Sequence, residues 1–257
     1  MSIIIFILFF TFSFSQENQP YPPLDLISIP SSGTLPKGAF SLETLLMNNG
    51  GIQPKFLLGV TDNFTFGVSW GVQRFIGTGD FEKNKDTPEI HIKYRLYDET
   101  ETMPAISIGM STQGRGVYAE NKDRYEEKAI GVYVVLSRNW NLLGNLGFHI
   151  GINKNTFEKP DIDTNLFFGF DKEINKSFSL LAEYNFSRND DGENNSEDYF
   201  IRDNKGYLNA GLRWSATNNL MLEINVNDIL ENNTYKLDDK LFTSNNREVK
   251  IMYYEQF

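Results

Sequence analysis

The sequence predicts an all-β protein, an antiparallel up-and-down transmembrane β-barrel of about twelve strands. Three observations point there. Segments alternating apolar and polar residues recur along the chain, as in "PEIHIKYRLYDE", where Ile90, Ile92, Tyr94 and Leu96 share one face and Glu89, His91, Lys93 and Arg95 the other. Helical periodicity is missing from Gly38 onward. The connections sort by length, short at one end of the strands and long and polar at the other.

The elements follow in order. "MSIIIFILFFTFSFSQ" is an apolar run ending in small residues, read as a signal peptide over 1–15, although no Lys or Arg precedes it. It is shorter than the ~20 residues that a spanning helix needs. "QENQPYPPLDLISIPSSGTLPK", rich in Pro and Ser, reads as an extended periplasmic lead-in over 16–37. The barrel is expected over 38–257, with strands near 39–47, 52–60, 64–75, 88–98, 104–112, 128–138, 142–153, 164–172, 177–187, 205–216, 219–229 and 247–256. Segments of roughly 9–11 residues are what a tilted strand needs to cross a bilayer.

"TDN", "DETETM", "RNWN", "KEINK" and "ATNN" are the short turns after even-numbered strands. Long polar stretches such as "GRGVYAENKDRYEE" and "NDDGENNSEDYFIRDN" follow the odd ones, "NNGG" excepted. A soluble sandwich has no reason to sort its loops in this way.

Alternation alone does not say which face looks inward, because a half-buried soluble sheet alternates too. The apolar rows are nearly unbroken, as in Phe64, Phe66, Val68, Trp70 and in Leu220, Leu222, Ile224, Val226, which suits a lipid-facing belt. The polar parity carries Gly67, Gly109, Gly147, Gly151, Gly169 and Gly211, as a narrow interior requires. With the polar face inward, the candidate lumen-lining residues are Glu43, Lys55, Glu89, His91, Lys93, Arg95, His149, Asp171, Glu183, Arg213, Glu223 and Lys250. Their signs nearly balance. Buried ions persist when paired, so this set reads either as a salt-bridged, partly filled lumen or as a charged pathway for a solute.

Composition excludes other classes. The 257 residues include 34 Asp and Glu against 24 Lys and Arg, a net charge of -10, which argues against a nucleic-acid partner. There is no cysteine, hence no disulfide, thiol nucleophile or thiolate metal site. Two histidines leave little scope for a metal centre, and no cofactor is expected. Neither "HIKYR" nor "HIGIN" is followed by the Ser-Asn-Gly run of a barrel phospholipase, so no enzyme and no catalytic residue is expected. "NDDGENN" lacks the spacing of a calcium loop. "GTGD" and "QGRGVY" do not sit between a strand and a helix, so they are not phosphate cradles.

"SIPSSGTLPKGAFSLETLLMNNGG", "LLGVTDNFTFGVSWG", "HIKYRLYDETETMPAISIGMSTQGRG" and "GVYVVLSRNW", with "LGFHIGIN" and "LLAEYNFSRNDD" after them, together resemble the YjbH-like family of bacterial outer-membrane barrels. That family is often linked to exopolysaccharide gene clusters. The resemblance covers roughly residues 28–230 of a chain much shorter than the larger family members. It implies a place in the bacterial outer membrane and a part in exopolysaccharide secretion or envelope assembly, with polysaccharide or its export proteins as partners. It supplies no catalytic residues. The last segment, "REVKIMYYEQF", resembles the assembly signal of outer-membrane barrels, with Phe257 terminal and Glu255 a departure from the pattern; it implies recognition by the barrel-assembly machinery. Two other readings of function stand beside it: a narrow porin-like channel for small solutes, and a non-transporting structural or surface-binding barrel.

Overall fold

The computed structural model describes residues 23–77, 82–120, 123–158, 161–190, 200–237, 240–243 and 246–257. The signal peptide expected over 1–15, the start of the lead-in, and most of "NDDGENN" lie outside them.

Twelve long strands form the wall: β1 Ala39–Leu46, β2 Ile52–Thr61, β3 Phe64–Ser69, β4 Glu89–Tyr97, β5 Ala105–Ser111, β6 Gly131–Asn141, β7 Asn145–Lys154, β8 Thr164–Asn175, β9 Phe178–Asn185, β10 Tyr207–Ser215, β11 Leu220–Asn227 and β12 Asn246–Gln256. Each pairs antiparallel with its chain neighbours, and β1 pairs with both β2 and β12, which closes the sheet. Ala39 faces Gln256 and Leu46 faces Val249 across the closure. Closure removes every unpaired edge, a condition for any sheet that crosses lipid.

The two faces of each strand differ as the sequence pattern requires. On β7, Gly147, His149, Gly151 and Asn153 are buried while Phe148, Ile150 and Ile152 are exposed. The exposed apolar rows continue around the wall through Phe168, Phe170, Leu180, Leu212, Ile224 and Val249. Aromatic pairs gather toward the short-turn end, including Trp140 with Phe148, Phe178 stacked on Trp214, and Phe40 tilted against Phe257. An exposed apolar band with aromatics at its border fits a lipid environment. Among the described residues no helix is long and apolar enough to cross a membrane, a statement that does not bear on strands.

Two local expectations are corrected. The third strand stops at Ser69 rather than running to 75, and Val72–Gln73 forms a separate short pairing with Glu82–Lys83. The turn expected at "RNWN" is instead at Leu142–Gly144, where Leu143 and Gly144 both take positive φ, 49° and 96°. Arg138–Asn141 continue β6. Two leucines read as strand, yet Gly144 supplies the backbone freedom that the turn needs, and Leu143 is left 94% exposed.

The larger correction concerns the lead-in. Residues 23–37 do not lie outside the barrel. They enter at the short-turn end, where Lys37 N–H donates to Asp62 Oδ1 at 2.9 Å and Thr34 Oγ1 donates to the Asp62 carbonyl at 2.8 Å. They then run up the lumen and double back, with Asp25 bridged to Pro30 and Leu26 N–H bonded to the Ile29 carbonyl. Leu24, Leu26, Ile27, Ile29 and Leu35 on this strap are all buried. The physical reason is that the inner wall is not wholly polar. Leu57, Met221 and Met252 receive Leu24 and Leu35, and Tyr133, Val135, Phe167 and Leu181 receive Leu26, Ile27 and Ile29. Burial of each such aliphatic side chain contributes about 1.5–3 kcal/mol. Gly169 gives up its side chain to this packing, since a Cβ there would stand 2.5 Å from Leu26 Cδ1.

The filled lumen as the candidate functional site

The strap is held by polar groups as well as by its apolar contacts. Glu183 on β9 accepts the backbone N–H groups of Ile27, Ser28 and Ile29 at 2.8–3.2 Å, the Ser28 hydroxyl, and Asn209 Nδ2 at 2.8 Å. Successive amides that converge on one point make an anion seat, and here a wall carboxylate fills it. Asp25 lies 2.9 Å from Lys55 Nζ and 3.5 Å from Lys93 Nζ, and Lys93 also donates to the Leu24 carbonyl. Arg213 Nη2 reaches the Asp25 carbonyl at 3.1 Å. Glu43 pairs with Lys55 at 2.8 Å, and Arg213 with Glu223 at 2.5 Å. Lys250 lies 3.9 Å from Glu223.

His149 and Asp171 form a second anchor. Ser137 Oγ is 2.7 Å from His149 Nδ1, and His149 Nε2 is 2.8 Å from Asp171 Oδ1. A serine, an imidazole and a carboxylate in a chain are the elements of an activated nucleophile. Here all three are buried, and Ser137 Oγ accepts the Ser32 N–H at 2.8 Å, so the strap backbone fills the space that a substrate would need. Ser32 is fixed further by its hydroxyl, which donates to the Val135 carbonyl at 3.1 Å, and by Ser107, which donates to the Ser32 carbonyl at 3.0 Å. The chain orients the strap.

The other histidine, His91, lies between Ser69 Oγ at 2.8 Å and Ser111 Oγ at 3.0 Å. Glu89 accepts from the Tyr125 hydroxyl at 2.8 Å and pairs with Lys85 at 2.8 Å. Arg95 sits at the short-turn rim, 2.7 Å from Asp98. All twelve residues of the expected lumen set thus lie on the inner wall or its rim, but the structure divides them. Lys55, Lys93, Glu183 and Arg213 hold the strap directly, and His149 and Asp171 hold it through Ser137. Glu89 meets the opposite closure.

That closure is a hairpin, Arg115–Ala119 with Arg124–Glu127, folded over the long-loop mouth. Tyr125 is fully buried, and Glu158 Oε1 accepts its N–H at 2.7 Å while Glu158 Oε2 accepts that of Ala129 at 2.7 Å. Arg124 makes a two-pronged pair with Asp190 at 2.6 and 3.0 Å. Arg115 joins cap to wall and strap, 2.6 Å from Glu248 and donating to the Ile27 carbonyl. Loss of water pushes the Glu127 carboxyl up to about 8, against the pull of Arg115 and with help from Glu248 and Glu183. Burial likewise raises Glu158 and lowers Lys128, whose ammonium donates to the carbonyls of Asp161 and Asn189.

Sequence reasoning missed the strap and the cap. A signal for the first was present: "PLDLISIPSSGTLP" carries more Leu and Ile than a solvated linker needs, and Leu57, Val135, Phe167, Leu181, Met221 and Met252 interrupt the polar parity of the wall. Among the described residues no group of three or more His, Asp and Glu could hold a metal.

Fold and lumen define the class, a closed twelve-stranded barrel of the outer-membrane type with its interior filled by its own chain. Solved structures to which the chain is similar include a NanC porin, 10% identical with a TM-score of 0.41 over 85% of this chain and 99% of that one. OmpT, an outer-membrane protein of Vibrio cholerae, is 8% identical with a TM-score of 0.32 over 85% and 98%. The outer-membrane channel DcaP of Acinetobacter baumannii is 8% identical with a TM-score of 0.30 over 84% and 95%. No protein-family model matches the chain, and no curated protein sequence does.

Proposed function

We propose that this chain is an exported outer-membrane barrel that is closed at rest and serves the envelope as an accessory or scaffold rather than as an open diffusion pore. The observation that carries this reading is the match between the apolar side chains of the strap and the apolar breaks in the inner wall. A water-filled pathway would gain nothing from Val135, Phe167 and Leu181 on its surface, whereas a permanent internal segment needs them. The accessory role in exopolysaccharide secretion draws its support from the stretches that resemble the YjbH-like family. Its partners would be outer-membrane lipid along the exposed belt, the barrel-assembly machinery through β12 and Phe257, and polysaccharide or its export proteins at the loops.

A narrow porin-like channel is the second reading, and the charged cavity beside the strap favours it. Planar-bilayer recordings of the full chain separate the two. The closed barrel is expected to give no steady current. A steady ohmic conductance from the full chain would support the channel and end the first reading. Deletion of the gene, with loss of extracellular polymer at unchanged small-solute uptake, is the outcome expected of the accessory role.

A further inference from the structure

The strap does not fill the lumen completely. Between it and the wall of β1, β2, β4 and β12 remains a cavity of about 100 Å³, reached from above by Gln113 and Arg115. By the same measure a single water needs only ~10–15 Å³, so the space holds several heavy atoms. Its charged lining is unequal: Lys55, Lys93, Lys250 and Arg115 face it, against Asp25 and Glu43. Both of those carboxylates are already engaged, Glu43 with Lys55 and Asp25 between Lys55 and Lys93. Arg115 is engaged with Glu248.

Lys250 is the exception. It is 6% exposed, and its Nζ has Glu223 at 3.9 Å, beyond hydrogen-bond reach, while Glu223 is held at 2.5 Å by Arg213. Among the described residues no acceptor lies within hydrogen-bond reach of this ammonium and its three donors, a cost that is relieved when an anion or water in the cavity supplies the acceptors. Gln53 also lines the cavity, and its side-chain amide can turn an N–H toward an anion. A divalent cation does not suit a space in which ammonium groups outnumber carboxylates. A saccharide chain does not fit the volume.

We propose that this cavity is a binding site for one small anion, a short carboxylate or an inorganic oxyanion, held by Lys250 and Lys93 beside the strap. The site does not depend on whether the barrel conducts, because the anion would be enclosed by the strap in either case. Its expected effect is to make the closed lumen more stable by mass action.

The test refolds the full chain in detergent micelles with sodium acetate or sodium phosphate, at ionic strength held constant by the bulky sulfonate HEPES. At probe a hundred-fold above its Kd, the unfolding midpoint should rise, saturably, by roughly 5–10 °C. A rise with acetate alone assigns a carboxylate, and one with phosphate alone an inorganic oxyanion. Lys250→Gln should abolish the rise, and Lys250→Arg should fold and retain it. Lys93→Gln provides an independent arm and should weaken the rise. A flat midpoint with both probes would overturn the site, as would a rise undiminished in Lys250→Gln and Lys93→Gln.

Discussion

The strap and the cap close the two ends of one lumen by different means. The strap buries five aliphatic side chains in two clusters and presents three consecutive amides to Glu183. The cap hairpin leans on ion pairs and carboxylates: Arg124 with Asp190, Arg115 with Glu248, and Glu158 under the Tyr125 and Ala129 amides. Apolar burial is indifferent to pH, whereas a carboxyl such as that of Glu127, pushed up to about 8 by loss of water, titrates within the ordinary pH range. The lower closure is therefore built to stay, and the upper one to respond to conditions.

Breaking the strap should have the largest effect. Leu26→Asp with Ile29→Asp places two carboxylates among Phe167, Val135 and Leu181, where ions lack partners. The strap should leave the lumen, bilayer conductance should appear, and the strap should become open to protease while the wall stays folded. Glu183→Ala is next, because it strands the amides of Ile27, Ser28 and Ile29 at about 1–3 kcal/mol for each group. A lowered unfolding midpoint in micelles, without loss of strand content by circular dichroism, is the expected readout. Arg124→Ala should cost about 2 kcal/mol by removing both charge-assisted bonds to Asp190. Limited proteolysis should then cut within 115–127 and spare 23–37, an asymmetry that equal closures would not show.

The smallest effect is that of pH on the cap. Glu127 has its carboxyl raised from 4.5 to about 8 in the folded state, so between those values the native form binds more protons than the unfolded one. Its contribution is greatest below about pH 4.5 and is lost as pH rises through 8. Amide hydrogen exchange, corrected for its intrinsic pH dependence, should show the hairpin loosening from pH 6 to pH 9. The strap amides should keep their protection over the same range.

The contrast also explains what could be read from the sequence. The wall was legible because strand alternation is local: Ile90 to Leu96 against Glu89 to Arg95 shows in nine residues which groups share a face. The recurring alternating segments gave the number of strands, and the sorting of loops the end at which the chain turns sharply. The inner set from Glu43 to Lys250 followed from parity together with the unbroken apolar rows and the glycines of the polar face, which say which face looks inward. The strap was not legible as a plug, since its partners are remote, Ser28 with Glu183 being 155 residues apart. Its prolines and serines also match a solvated linker. Likewise no local pattern joins Ser32 to Ser137 or Arg124 to Asp190. The turn at Leu142–Gly144 was hidden by two leucines whose apolar character says nothing about backbone direction.

The central claim, that residues 23–37 occupy the lumen, can be measured directly because the chain has no cysteine of its own. Ser32→Cys sits at a buried strap position between β5 and β6, and Lys176→Cys sits in the exposed β8–β9 turn. With a small water-soluble maleimide on the folded barrel, Lys176→Cys should label fully while Ser32→Cys stays unlabelled until the protein is unfolded. Equal labelling rates at the two positions in the folded barrel would contradict the account.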